Sequence, residues 1–322
     1  MIGWWITVAA AAAVAVLFAV AGVIFKQVFT RKEPKQFGGD EPCLAPKWSE
    51  IEAEIAEGVR KIRGGRLEKI TVNSFDGLQL AGRYFAPEGR LRGVVICAHG
   101  YHSNYGNDFG AVTDFYHTRG FGLLYIDQRA HGESEGRYLC FGIKERHDIK
   151  SWAYYAYGRF GGDVPLFLDG LSMGAASVLM AAGEKLPLTV KGIIADCGFT
   201  SLKEEIAHVM RKHHVMPWLL LPPLNVWTRL CAGFWLGEYS TLDAMKRNRL
   251  PVLLIHGGAD DFVPTYMSRE NYDVCIAEKE LVIVEGAPHA IARLADREKT
   301  EAALLRFLRQ NLPKTAGAFT EC

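Results

Sequence analysis

The sequence predicts an α/β protein: a mainly parallel eight-stranded sheet with helices on both faces, a helical insertion, and one apolar helix at the N-terminus. Three observations predict it. Short, near-continuous apolar runs recur between residues 67 and 284, as in strands buried on both faces of a sheet. Helix-length amphipathic stretches lie between them, and strand–helix alternation implies right-handed crossovers joining parallel strands. Ile2 to Phe25 form 24 positions without a charged side chain.

That first segment, as a helix, reaches ~36 Å at ~1.5 Å per residue, enough for a ~30 Å hydrocarbon core. Ala19-Val20-Ala21 resembles a small-residue cleavage site, but a signal peptide needs a basic leader, and no Lys or Arg precedes the run. The bases follow it instead: Lys26, Arg31, Lys32 and Lys35. The positive-inside rule keeps that flank cytoplasmic, with Trp4-Trp5 at the opposite interface. The expectation is a single-pass cell-membrane anchor over residues 1–30, with the remaining chain in the cytoplasm. Residues 31–65 read as a linker, marked by Pro34, Gly38, Gly39, Pro42 and Pro46, followed by a short helix from Trp48 to Ile62.

The globular domain is expected over residues 66–314, with a flexible tail at 315–322. Leu67–Val72 and Leu78–Phe85 flank Asn73-Ser74-Phe75-Asp76-Gly77, a hairpin signal. Six further strands are expected at Gly93–Ala98, Gly122–Ile126, Leu166–Leu168, Val190–Ala195, Val252–Ile255 and Leu281–Val284. Helices are expected at Gly142–Tyr157, Met173–Glu184, Tyr266–Cys275 and Ile291–Gln310. Residues 202–248 form a long insertion containing Trp218-Leu219-Leu220-Leu221-Pro222-Pro223-Leu224, Trp227, Phe234 and Trp235. Pro217, Pro222-Pro223 and Arg229 argue against a second membrane span there.

Composition narrows the function. With 322 residues, 49% hydrophobic, the chain can bury a full core. Balanced charge, 37 Lys+Arg against 36 Asp+Glu, gives no electrostatic footprint for nucleic acid. Seven cysteines without a CxxC pair fit neither a disulfide framework nor a zinc ribbon. Cys97 and Cys197 lie in strand-like runs, where a thiol behaves as a small hydrophobe.

In open parallel sheets ligands bind beyond the carboxyl ends of the strands, so those positions are read first. Gly170-Leu171-Ser172-Met173-Gly174 is G-x-S-x-G between a strand and a helix, the spacing of a nucleophile elbow. The glycines Gly170 and Gly174 allow a crowded turn that lifts the serine hydroxyl clear. A serine needs a base and an orienting acid. Asp260 follows one strand, within His256-Gly257-Gly258-Ala259-Asp260-Asp261, and His289 follows another. For the acid, Asp261 and Asp196 remain alternatives to Asp260. Two amides are needed for an oxyanion: Met173, next to the serine, and Tyr101, after His99-Gly100. His99 and His102 lack a third ligand at metal spacing, so no metal is expected.

Together His99-Gly100, Asp127-Gln128-Arg129-Ala130-His131-Gly132-Glu133-Ser134, Gly170–Gly174, His256–Asp260 and His289 resemble the bacterial α/β-hydrolase superfamily, in its esterase, lipase and serine-aminopeptidase-like branches. The resemblance covers about Leu67 to Leu312. It implies ester or amide cleavage through an acyl-enzyme, with Ser172, Asp260 and His289 as the triad and no cofactor. It also implies that Asp127, Arg129, His131 and Ser134 order the loop after the fourth strand. The anchor and the aromatic insertion point toward a lipophilic, lipid-like small-molecule ester as substrate. A peptidase or amidase, an acyltransferase or thioesterase, and a non-catalytic binding module are the competing readings. The sequence leaves oligomeric state open.

Overall fold

Eight strands form one sheet in the order β1-β2-β4-β3-β5-β6-β7-β8. They are β1 (Leu67–Asn73), β2 (Gln79–Phe85), β3 (Gly93–Ala98), β4 (Phe121–Ile126), β5 (Leu166–Leu171), β6 (Val190–Asp196), β7 (Val252–Gly257) and β8 (Lys279–Val284). Only the β1–β2 and β2–β4 pairings are antiparallel; every pairing from β4 onward is parallel. Central strands β3, β4, β5 and β7 are buried along their whole length, which explains their unbroken apolar composition. Edge strand β1 faces solvent at several positions and carries Glu68 and Lys69.

The computed structural model describes residues 1–32 and 48–313. The prolines and glycines expected to form a linker, and the tail at 315–322, lie outside the described residues. The helices are α1 (Ile2–Phe29), α2 (Trp48–Gly64), α3 (Tyr105–Phe109), α4 (Thr113–His117), α5 (Glu145–Phe160), α6 (Met173–Ala181), α7 (Leu202–Lys212), α8 (Pro217–Trp227), α9 (Thr241–Met245), α10 (Tyr266–Val274), α11 (Ala292–Ala295) and α12 (Arg297–Asn311). The single helix expected over Ile291–Gln310 is therefore two. Asp296, at φ −139° and ψ 78°, leaves the helical region, and its side chain caps α12 by accepting from the Lys299 amide. Helices α3 and α4, in the connection before β4, were not foreseen. Cys197 lies one residue beyond β6, in a left-handed conformation (φ 49°), rather than inside a strand.

Two apolar layers sandwich the sheet. One gathers α5 and α6 around Trp152, Ile149, Val178 and Leu179; the other gathers α4 and α12 around Tyr116, Leu304 and Phe307. Trp152 is fully buried, and it reaches the sheet because Gly82 has no side chain: a Cβ there would come within 2.7 Å of the indole. Truncating such a residue to Ala costs about 3–5 kcal/mol.

A third apolar cluster joins the insertion to the N-terminal helix. Ala21, Phe25 and Phe29 of α1 are buried with Leu220 and Leu224 of α8, Phe234, and Leu139 and Phe141 of the loop after β4. The buried positions recur every four residues, one stripe of a helix that is otherwise exposed. Beyond Phe29 the chain joins the body by backbone: Leu139 donates to the Phe29 carbonyl (2.8 Å), Arg31 donates to the Arg137 carbonyl (3.0 Å), and Thr30 bridges Tyr138. α8 spans only 11 residues, with Pro222 and Pro223 inside it.

Candidate active site

Ser172 sits between β5 and α6 with φ 54° and ψ −114°, a conformation costly for a side-chain-bearing residue. Two glycines make the turn possible. A Cβ on Gly170 would overlap the Gly174 carbonyl, and one on Gly174 would overlap the Ala98 carbonyl at the end of β3. Their absence lets α6 start hard against the strand ends. The Met173 amide, at the first position of α6, has no carbonyl of its own helix to donate to.

His289 lies in the loop after β8 and reaches Ser172 Oγ with Nε2 at 2.9 Å. Its Nδ1 lies 2.7 Å from Asp260 Oδ2. The carboxylate can only accept, so Nδ1 carries the proton and Nε2 is left to accept from the serine hydroxyl. Asp260 is fixed from the other side too: its Oδ1 accepts from the Phe262 and Val263 amides at 3.0 and 2.9 Å. Burial by itself pushes this carboxyl up, but hydrogen bonds from His256 and His289 outweigh it and lower it to about 2.

The two alternative acids stand elsewhere. Asp261 is exposed and pairs with Lys212 at 2.7 Å. Asp196, fully buried at the end of β6, faces Arg293, with Nε 3.2 Å from Oδ2 but without hydrogen-bond geometry; burial raises it to about 6.

His256 is a partner that the sequence reading quoted in a motif without giving it a role. Fully buried at the end of β7, it places Nε2 2.9 Å from the Val263 carbonyl and 3.2 Å from Asp260 Oδ2. A carbonyl only accepts, so Nε2 carries the proton and Nδ1 accepts from Ser268 Oγ at 2.6 Å. His256 therefore braces the acid. The signal available in the sequence was its place at a strand end, four residues before Asp260.

Beside Ser172, the loop after β3 presents backbone N–H groups. The Gly100 amide donates to Asp108 Oδ2 (2.6 Å), that of His102 to His131 Nε2 (3.2 Å), and that of Ser103 to the Gly100 carbonyl (3.3 Å). The Tyr101 amide has no acceptor among the described residues. Gly100 brings this loop against Ser172: a Cβ there would meet Ser172 Cβ at 3.6 Å. The Tyr101 hydroxyl donates to the Val28 carbonyl of α1 at 3.0 Å, and burial pushes that phenol up to about 12. His99 is not poised for a metal, since Nδ1 donates to the Gly100 carbonyl (2.8 Å) and Nε2 accepts from the Gln128 amide (3.2 Å). Among the described residues one grouping of metal-type donors appears, Cys197 with Asp260 and His289. Two of its members are already committed to the relay, and burial pushes the Cys197 thiol up, away from the thiolate that a metal would need.

The segment after β4 is held as expected. Asp127 accepts from Arg83 (2.9 Å) and the Glu133 amide (2.9 Å); the Ser134 hydroxyl accepts from the Ala81 amide and donates to the Asp127 carbonyl. Arg129 forks onto Asp148 and Asp76.

With this geometry in view, residues 89–235 match the family model described as serine aminopeptidase, S33. The chain is 28% identical over 233 residues to the uncharacterized protein YqkD of Bacillus subtilis, covering 72% of this chain and 76% of that one. It is 26% identical over 214 residues to an uncharacterized membrane protein of Saccharomyces cerevisiae, YNL320W, covering 66% and 69%. Among solved structures, the Pyrococcus furiosus esterase Pf2001 superposes with a TM-score of 0.66 at 21% identity, covering 88% of this chain and all of that one.

Proposed function

This chain has the α/β-hydrolase fold, and from that premise we propose that it is a membrane-anchored serine hydrolase cleaving lipophilic carboxylic esters. The observation that carries the reading is the row Ser172 Oγ–His289 Nε2 (2.9 Å) and His289 Nδ1–Asp260 (2.7 Å), beside two uncommitted amides. His289 takes the Ser172 proton as Oγ attacks the ester carbonyl carbon. The oxyanion that forms is held by the Met173 and Tyr101 amides, and the imidazolium by Asp260. Collapse expels the alcohol, which receives the proton from His289 and leaves an acyl-Ser172. Water then gives a proton to His289, attacks the acyl group and releases the acid, regenerating the serine.

Ester chemistry is supported by the similarity in fold to an esterase. The family model's own description favours a second reading, hydrolysis of aminoacyl amides by the same residues. Anchoring is supported by α1, 28 residues with mean hydropathy 2.7 over its most apolar window, and by the yeast relative's description as a membrane protein. Basic residues after α1 support a cytoplasmic domain.

Fluorophosphonate labelling of the detergent-solubilised protein, read by intact mass, tests the proposal. One adduct on the native chain and none on Ser172→Ala is the expected result. Equal labelling of both would refute Ser172 as the nucleophile. Turnover of an aminoacyl-arylamide well above that of matched aryl esters would favour the peptidase reading.

A further inference from the structure

We propose that the insertion is itself immersed in the membrane, with α8 and the turn after it seated in the acyl region of the leaflet beside α1. This deepens the preceding reading and rests on α1 being a membrane anchor. It follows from where α8 grips that helix. The Trp227 indole N–H donates to the Phe18 carbonyl at 2.9 Å, its ring lies against Gly22, where a Cβ would meet it at 3.1 Å, and it stacks on Phe25 with centroids 6.4 Å apart. All three contacts fall on the apolar run, before its first charge at Lys26.

Depth follows from helix geometry. Spanning a ~30 Å core takes ~20 residues at ~1.5 Å each. Counted from Ile2, the shallowest placement possible, the core reaches to about Ala21, which leaves Phe18 ~4–5 Å inside. If Trp4-Trp5 hold the far interface instead, the core runs to Phe25 and Phe18 lies ~10 Å inside. Tilt only lengthens the stretch of helix needed. In the shallower placement the Trp227 N–H lies just inside the hydrocarbon boundary with its ring level with Gly22, and in the deeper one the whole side chain is within hydrocarbon.

The surface around it has the matching chemistry. α8 carries no charged side chain, and large apolar groups stand out from it and from the following turn: Trp218 is 70% exposed and Leu230 75%. The cation in that turn, Arg229, is folded back, its NH1 on the Gly233 carbonyl (3.1 Å) and its guanidinium over the Trp235 ring. This is how a basic side chain keeps its charge at an interface while its stem crosses apolar surroundings. A water-facing cap would gain nothing from such exposure; a leaflet buries it.

The test uses the full chain in phosphatidylcholine vesicles, with a photoreactive benzophenone amino acid replacing, one at a time, Val14 in α1, Leu230, or Leu188. Leu188 is 91% exposed and precedes β6, at the end of the sheet opposite the active site. The expected result is lipid adducts at Val14 and Leu230, about tenfold or more above Leu188. Adducts at Val14 with Leu230 no higher than Leu188 would overturn the immersed cap and leave the anchor standing. No adduct at Val14 would remove the anchor reading, and this inference with it.

Discussion

Replacing Asp260 by Asn tests the site most sharply, because the structure dictates what the amide must do. Two backbone N–H groups, from Phe262 and Val263, point at Oδ1. An Asn there keeps its carbonyl oxygen toward them, since turning the NH2 inward would set donors against donors. The NH2 then faces His289 Nδ1, which must give up its proton to accept. That proton moves to Nε2, opposite Ser172 Oγ, and the imidazole becomes a donor where a base is needed. Loss of the carboxylate also removes the charge that steadies the imidazolium. A wrong-tautomer triad loses about ten-thousand-fold in kcat with its shape intact. Hydrolysis of an aryl ester by protein in detergent gives the rate, and circular dichroism checks the fold. Asp261→Asn is the control: its partner is an exposed Lys212, so activity should stay within about twofold. If Asp260→Asn kept activity within tenfold while Asp261→Asn did not, the assignment of the acid would be refuted.

The remaining predictions concern stability. Glu205 of α7 is buried, neither carboxyl oxygen has a partner, and burial, with lesser repulsion from Asp260 and Glu204, raises it to about 8. A carboxyl raised above its unfolded value favours folding fully below the unfolded value of ~4.5, and that contribution is lost as pH climbs through about 8. Glu205→Gln should therefore melt close to the native chain at pH 5 and above it at pH 9, by up to about 4 kcal/mol; parallel melting profiles across that range would contradict the buried, unpaired carboxyl. Gly174→Ala forces a methyl into the Ala98 carbonyl, so it should lower the melting temperature and abolish fluorophosphonate labelling together. A variant that labels normally would show that the elbow relaxes. Phe29→Ala, a fully buried ring between α1 and the body, should cost about 3–5 kcal/mol, read by denaturant melts in detergent.

Strands and their ends were legible because burial on both faces leaves an unambiguous apolar run. The β3 boundaries match residue for residue, and Ser172, Asp260 and His289 each follow such a run. What sequence reading missed depends on contacts between distant segments. His256 braces Asp260 only because the chain folds back through Val263. Arg293, buried on Asp169 at 2.6 and 2.9 Å, reads as an ordinary helix cation until its partner on β5 is known. Helices α3 and α4 are five residues each, too short for periodicity to register. The break at Asp296 did carry a local signal, an Asp poised as an N-cap, but the longer amphipathic pattern masked it. Nothing in the sequence announced that α8 would pack along α1, since apolar surface facing protein and apolar surface facing lipid have the same composition.

The Tyr101 hydroxyl rests on the Val28 carbonyl, and this gives α1 a second office beyond its proposed hold on a bilayer. A soluble form made by starting the chain after Lys32 would discard that acceptor together with Phe25, Phe29 and the strand-like bridge at Thr30. It would keep Ser172, Asp260 and His289 and still behave as a different protein, the loop after β3 unfastened on one side and the aromatic face of its insertion bare. Measurements on such a fragment would describe a body with one side removed, because the last turns of α1 are packed into the fold as part of it.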